Sequence, residues 1–429
     1  MVLSKQDKAT GIHDDGGDAD GMPSVACRHI LILNWRDITH PQAGGAEKVT
    51  HEIARRWVAW GHHVTLFCAS YPGAAPEEIV DGVRVLRRGR QHTVHWEAYR
   101  YYRRYLRGRC DIILDEVNTI PFFAPLYASE PVIMFVHQLA RDVWRYEAPF
   151  PLSTIGYVAE PLYLQVYRRT PVMTVSKSTQ DDLHRLGLSG ASHIIPESVD
   201  TQAFEDLLPL STKGQQLTLA FVGRIVPSKR VDHIIQAFAS LYHAGTEARL
   251  WIIGSCEETY RRRLDRQISD LGVTNLVTFW GYTDRPTKER LLAQAHLLVM
   301  TSVREGWGLV VTEANRLGTP AVVYDVPGLR DSTRDGQTGI VCRRNTPTCL
   351  ARVIAALWED PALYQRLRTG AWAWAREFNW DTTAREAWHV IEETLTPMPL
   401  KDADLAAMQL MGPKLAASSI LHQETNPDG

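Results

Sequence analysis

The sequence predicts an α/β protein with two doubly wound parallel-sheet domains, on three observations. Strand-length apolar runs alternate with helix-length amphipathic segments along most of the chain, the pattern of a parallel sheet covered by helices on both faces. The alternation comes in two series, separated by the polar stretch 205–216 (EDLLPLSTKGQQ). The 429 residues amount to about two to three typical domains, which excludes a small one-domain binding module.

Taken in order, residues 1–27 are rich in Asp, Gly and Lys, lack the apolar core of a signal peptide, and are expected to form a disordered tail. The first series opens at 29–35 (HILILNW), passes Gly44 and Gly45, runs a helix over 47–60, stops at Gly61 and resumes at 63–68 (HVTLFC). Glycine just beyond the last periodic residue is the expected helix stop. Further buried strands are expected at 111–114, 131–136 and 172–175. The most membrane-like stretch, 120–136, is broken by Pro121, Pro125, Glu130 and Pro131. A bilayer span needs about 20 uninterrupted apolar residues, so this stretch reads as a loop and a buried strand. The second series places strands at 217–222, 249–253, 277–279, 297–300, 321–324 and 339–342. This divides the chain into an N-terminal domain (28–204), a linker (205–216) and a C-terminal domain (217–379). Residues 372–395 read as helical with a break at 378–381, and 397–429 as a second tail.

Apolar residues make up 45% and charged ones 22%, ordinary for a globular protein and unlike a collagenous or wholly disordered chain. The net charge of −2 gives no global field toward nucleic acid, so none is expected as a partner. The six cysteines form neither a C-x-x-C pair nor a cluster with histidines. Reduced thiols and a cytoplasmic location are the expectation.

In open parallel sheets ligands sit at the carboxyl ends of strands, so the chemistry is sought in the loops there. Neither a G-x-G-x-x-G fingerprint nor a P-loop follows the first strand of either series, which argues against a dehydrogenase and a P-loop phosphotransferase. The densest signal is 302–313 (SVREGWGLVVTE), where a strand ends and a helix starts near Gly308. Freed N–H groups at such a start face phosphate or sugar oxygens well. Glu305 stands at the mouth and Glu313 about one and a half turns inside, so the two could address two parts of one elongated ligand. Either glutamate alone would be an ordinary exposed acid. The second signal, 221–230 (FVGRIVPSKR), places Gly223, Arg224 and Lys229 after a strand, a guanidinium fork and an ammonium suited to a diphosphate. Taken alone it is also what a solvated basic turn looks like.

Together with Gly318-Thr319-Pro320, Gly339 and the glycine loop Gly44-Gly45-Ala46-Glu47, these motifs resemble the signature of the family-4 retaining glycosyltransferases over about residues 28–393. The resemblance implies the GT-B architecture: two Rossmann-like domains facing a cleft, with the last helix (about 380–395) crossing back to the N-terminal domain. It implies that Arg224 and Lys229 bind the donor diphosphate, that Glu313 meets the ribose, and that Glu305 with Gly306, Trp307, Gly308 and Leu309 holds the transferred sugar. His137, at a strand end, matches the family histidine lining the sugar and acceptor site, and Tyr282 sits where the family packs the nucleobase. Gly44 and Gly45 complete the expected substrate-binding set. One departure is Glu197-Ser198-Val199-Asp200, where relatives commonly carry Asn-Gly-Val-Asp, so that turn is expected to differ.

The donor implied is a UDP- or GDP-sugar and the acceptor a hydroxyl on a lipid, polysaccharide or small molecule, with no cofactor and no metal. Fixed cations at the phosphates would stabilise the charge that develops on the leaving group. A sugar-nucleotide epimerase of the same architecture and a catalytically silent sugar-nucleotide-binding protein are the alternatives. Finally, nine arginines stand against the single acid Glu97 between positions 84 and 109. On a helix over 94–107, Arg100, Arg103, Arg104 and Arg107 share a face with Trp96, opposite Ala98, Tyr101, Tyr102 and Tyr105. That face suits an anionic membrane surface, and equally a solvated helix with no partner.

Overall fold

The computed structural model of the chain describes residues 26–199 and 213–396. The expected tail at 397–429, nearly all of the one at 1–27, Asp200 and most of the linker 205–216 lie outside the described residues.

The N-terminal half builds an eight-stranded sheet in the order β3-β4-β2-β1-β5-β6-β7-β8. Its strands are β1 (His29–Leu33), β2 (His63–Cys68), β3 (Glu77–Val80), β4 (Val83–Arg87), β5 (Ile112–Val117), β6 (Val132–Val136), β7 (Val172–Thr174) and β8 (Ser192–Ile194). All neighbours run parallel except β3 and β4, which form an antiparallel hairpin at one edge. The helices are α1 (Gly45–Ala59), α2 (Val94–Tyr101), α3 (Val143–Glu147), α4 (Leu152–Tyr163) and α5 (Lys177–Arg185).

The C-terminal half builds a six-stranded, wholly parallel sheet in the order β11-β10-β9-β12-β13-β14. Its strands are β9 (Leu217–Val222), β10 (Ala248–Ile253), β11 (Val277–Gly281), β12 (Leu297–Met300), β13 (Ala321–Tyr324) and β14 (Gly339–Cys342). Between and after them come α6 (Val231–His243), α7 (Glu258–Asp270), α8 (Arg285–Gln294), α9 (Leu309–Arg316), α10 (Pro347–Trp358), α11 (Pro361–Ala375) and α12 (Trp380–Leu395). The central strands β1, β5, β6, β9, β12 and β13 are buried nearly throughout, which explains why they read as continuous apolar runs rather than alternating ones.

Both sheets reverse strand order between the first strand and the neighbour added later, β1/β5 in one and β9/β12 in the other. Such switch points open a crevice at the carboxyl ends of the strands. The crossing helix is present: α12 lies on α1, where the Trp57 indole N–H donates to the Ala384 carbonyl at 3.1 Å and Arg56 pairs with Asp381 at 2.5 Å. Trp307, Trp374 and Phe378 join the same apolar seam.

The basic surface needs correction at two points. Arg84 and Arg87 belong to strand β4, and Arg87 is fully buried, clamped by Asp37 and by Glu78, each at 2.8 Å. Burial alone would raise the Asp37 carboxyl, but its bonds to Arg87 and Thr39 hold it at about 2. The helix also ends at Tyr101 and continues as a wider π-helical turn, Tyr102–Leu106, which shifts the register. Tyr105 is thereby exposed rather than facing the core, and Leu106 is buried instead. Trp96, Arg100, Arg103, Arg104 and Arg107 are exposed as expected.

Candidate active site

The loops after β9 and β12 meet the loops after β1 and β6 across the cleft. After β12 the chain runs through Ser302 to Glu305, whose buried carboxylate accepts from the Ser302 hydroxyl and pairs with Lys229 Nζ, both at 2.5 Å. Lys229 is delivered by the turn after β9. Arg224, on the same turn, is exposed, and its guanidinium has no hydrogen-bond or ion-pair partner among the described residues. Gly308 adopts φ 95°, a left-handed conformation glycine takes without strain, and turns the chain into α9.

His137 follows β6 and is only 3% exposed. Its Nε2 lies 3.5 Å from Glu116 and its Nδ1 4.0 Å from Glu197, and neither ring nitrogen has a hydrogen-bond partner. Burial lowers its pKa, but the two carboxylates outweigh that and raise it to about 9. Each ring nitrogen thus faces a carboxylate at ion-pair distance but outside hydrogen-bond reach, in a buried site. Such groups are rare in folded proteins and mark functional positions. Glu116 is held in turn by Asn34 and by the Thr50 hydroxyl at 2.7 Å. Burial raises the Glu197 pKa, countered by His137, with Glu305 adding to the rise and Lys48 opposing it.

Three further contacts tie the two domains across this floor. Gly306 packs on the main-chain carbonyl of His137. Gly45, at the start of α1, faces Leu309, at the start of α9. Glu313 pairs with Lys288 of α8 at 2.7 Å and lies 3.7 Å from Lys48 of α1. Farther out, Arg304 pairs with Asp182 of α5 at 2.6 Å and Asp331 accepts from the Ser178 N–H at 3.1 Å.

Among the expected site residues, His137, Glu305, Gly306 and Lys229 thus converge, and Gly45, Leu309 and Glu313 line the same seam. Gly44 precedes α1 and donates its N–H to Glu47 at 2.7 Å, and Gly223 closes β9. Two stand apart. The Trp307 side chain is buried against Trp374 and Phe378, with its N–H on Thr312 at 3.0 Å, so only its main chain can face a ligand. Tyr282 follows the edge strand β11 and is 85% exposed.

Sequence reasoning missed several members. Arg36, after β1, pairs with Glu47 at 3.0 Å. Burial lowers its pKa, Glu47 raises it, and the Arg224 charge from the other domain lowers it, so cations from both sheets share the cleft. Glu116 escaped because β5 was expected to end at 114, whereas it continues to Val117 with Asp115 and Glu116 buried at its carboxyl end. Two acids closing an apolar run were the signal. Glu197 was noted only as a departure, and Lys48 and Lys288 carried none.

Two family models cover most of the chain: "Glycosyltransferase Family 4" matches residues 43–203 and "Glycosyl transferases group 1" residues 207–374. A curated D-inositol 3-phosphate glycosyltransferase of Nocardia farcinica is 34% identical over 304 residues, 64% of this chain and 67% of that protein. The chain belongs to the family-4 glycosyltransferases. A protein of the same description from Jonesia denitrificans is 28% identical over 85% of this chain and 95% of its own length. The match to another, from Thermomonospora curvata, is 34% identical but spans only 40% of that protein. Among solved structures, sucrose-phosphate synthase from Thermosynechococcus elongatus superposes with a TM-score of 0.70 at 19% identity, covering 85% of this chain and 98% of that one. HepE of Anabaena, solved in complex with UDP and glucose, gives 0.65 at 18% over 85% and 100%. At these identities the structural likeness bears on the fold, which is GT-B.

Proposed function

We propose that this family-4 glycosyltransferase moves a sugar from a nucleoside-diphosphate sugar to an acceptor hydroxyl with retention of anomeric configuration and without a metal ion. The observation that carries the reading is the meeting, at the switch points of both sheets, of strand-end cations from the C-terminal domain with a buried His137 whose ring nitrogens face Glu116 and Glu197 without a hydrogen bond. Arg224 and Lys229 are offered to the diphosphate, and Arg36 adds a third cation from the facing domain. Glu313 is offered to the ribose, and Glu305, the main chain of 306–309 and His137 to the sugar hydroxyls.

In the reaction the bond from the anomeric carbon to the phosphate oxygen breaks as the acceptor oxygen bonds to the same face of that carbon. The acceptor proton passes to the departing phosphate oxygen. Negative charge grows on the diphosphate in the transition state, so fixed cations there stabilise it more than the ground state. The Lys229–Glu305 pair gives way as the donor enters: the ammonium turns to phosphate and the carboxylate to a sugar hydroxyl. The UDP held by HepE favours a uridine donor. A panel of UDP-, GDP- and ADP-sugars tests this, because a ligand that binds only the folded state raises the melting temperature. The bound donor should be hydrolysed slowly, with nuclear magnetic resonance of the released sugar reporting the anomer first formed. An inverted product would overturn retention, and no response to any donor would overturn the function.

A further inference from the structure

Helix α4 wears its polarity inside out. Its single charged residue, Glu160, is 1% exposed and accepts the N–H groups of Ala140 and Arg141 at 2.7 and 2.6 Å. Its outward face is a stripe of Leu152, Ile155, Val158 and Leu162, each between 57 and 68% exposed. A surface helix ordinarily turns its charges to water and its aliphatic residues to the core. Among the described residues, nothing covers this stripe.

Helices α4 and α2 meet the same loop. Tyr163, next to Leu162, hydrogen-bonds the Thr119 carbonyl at 2.5 Å, and His95, next to Trp96, bonds the Ile120 carbonyl at 3.2 Å. Ile120 and Trp96 are themselves exposed, Trp96 at 60%. The 119–120 loop, with Ile120 exposed, therefore bridges α4 and α2, and Arg100, Arg103, Arg104 and Arg107 follow beyond Trp96. On the α4 side Arg141 and Arg145 lie over the Tyr157 ring at 4.4 and 4.3 Å. No helix among the described residues is long and apolar enough to cross a membrane.

We propose that α4 and α2 together form a docking face for an anionic lipid bilayer, α4 burying its aliphatic stripe among the acyl chains and the flanking arginines meeting the headgroups. Charge decides the occupant: Arg100 and Arg145 lie 3.7 Å from Glu97 and Asp142, but Arg103, Arg104 and Arg107 have no acidic partner among the described residues, and aliphatic residues framed by such an excess of exposed guanidinium groups, with Trp96 at the margin, match the interface of a negatively charged membrane. A protein partner or a second copy would have to present acids around an apolar strip, and on this chain the apolar strip is framed by like charge. The face lies directly behind the loop that leaves His137, since Glu160 holds Ala140 and Arg141. Docking would set the cleft against the bilayer and favour a hydroxyl acceptor anchored there, a consequence that rests on the transfer reading above, whereas the docking does not.

Co-sedimentation of the full chain with phosphatidylcholine vesicles, with and without phosphatidylglycerol, tests it. The chain should partition onto the anionic vesicles and be released by salt. Arg103→Gln with Arg104→Gln should lower partitioning on the order of tenfold or more, and Ile155→Ser with Leu162→Ser about tenfold. Melting temperatures should stay unchanged, because these side chains face solvent. If the serine pair fails to fold, Val158→Ser serves in its place with a smaller loss of the same sign. Three results would overturn the proposal: wild type indifferent to anionic lipid, wild type and serine variant binding alike, or a dimer in solution that the serine pair dissolves while wild type ignores vesicles. Donor hydrolysis, measured without vesicles, keeps failure of docking distinct from failure of transfer.

Discussion

Gly306 of the C-terminal domain lies against the main-chain carbonyl of His137 in the N-terminal domain, so close that a Cβ on Gly306 would stand under 3.0 Å from that oxygen. Backbone meets backbone there, and neither side can yield by a rotamer change. Gly306→Ala should therefore prop the cleft open without unfolding either domain. We expect turnover to fall on the order of a hundredfold, as a displacement of about 1 Å at a reaction centre does, with a stability loss of about 1–3 kcal/mol. Small-angle scattering should show a larger radius of gyration, and unchanged turnover would mean the contact does not matter to the closed site.

Arg224 and Lys229 separate in their effects. Arg224 is exposed and unpaired among the described residues, so Arg224→Ala should leave the melting temperature alone while lowering turnover roughly a hundredfold, about 3 kcal/mol of barrier. Lys229→Ala should cost as much activity and also about 1–3 kcal/mol of stability, because it leaves the buried Glu305 carboxylate without its cation. Calorimetry alongside kinetics on a confirmed donor distinguishes the two.

His137 sets a pH dependence. Its pKa rises from 6.5 to about 9 on folding, so its contribution is complete below pH 6.5, declines between 6.5 and 9 and is absent above. The contribution is on the order of 1–3 kcal/mol. Urea midpoints of the wild type should fall across that window, and those of His137→Gln should not. Glu116 and Glu197 from β5 and the turn near 197, with Glu305 and Lys48 nearby, are the charged groups about the ring. An identical slope in the variant would place the titration elsewhere.

Transfer should survive chelation. With Arg224, Lys229 and the amides at the start of α9 assigned to the phosphates, EDTA should leave the rate within about twofold, a divalent ion at most aiding product release. Full loss in EDTA, restored by Mg²⁺ or Mn²⁺, would assign the diphosphate to a metal.

The sequence by itself determined the architecture, because buried parallel strands must be apolar on both faces and so announce themselves as runs; β2, β9, β12, β13 and β14 fall within the expected limits. It also located the strand-end loops, since glycines and charges there interrupt apolar periodicity. The edge hairpin β3-β4 was not legible, as a half-exposed edge carries polar residues indistinguishable from a loop, and its Arg87 passed for a surface charge. Only the tertiary structure decided which charges face one another. Glu116, His137 and Glu197 are separated by 20 residues or more in the chain, and Arg36 and Arg224 sit on different sheets; no local pattern records a pairing made by two domains closing. The outward stripe of α4 is the converse case. No element was expected over 152–163; its apolar residues 152, 155, 158 and 162 recur at helical spacing, but which side of an amphipathic helix meets the core depends on what packs beside it, and the bonds of Glu160 to the loop beyond His137 turned the aliphatic side to solvent.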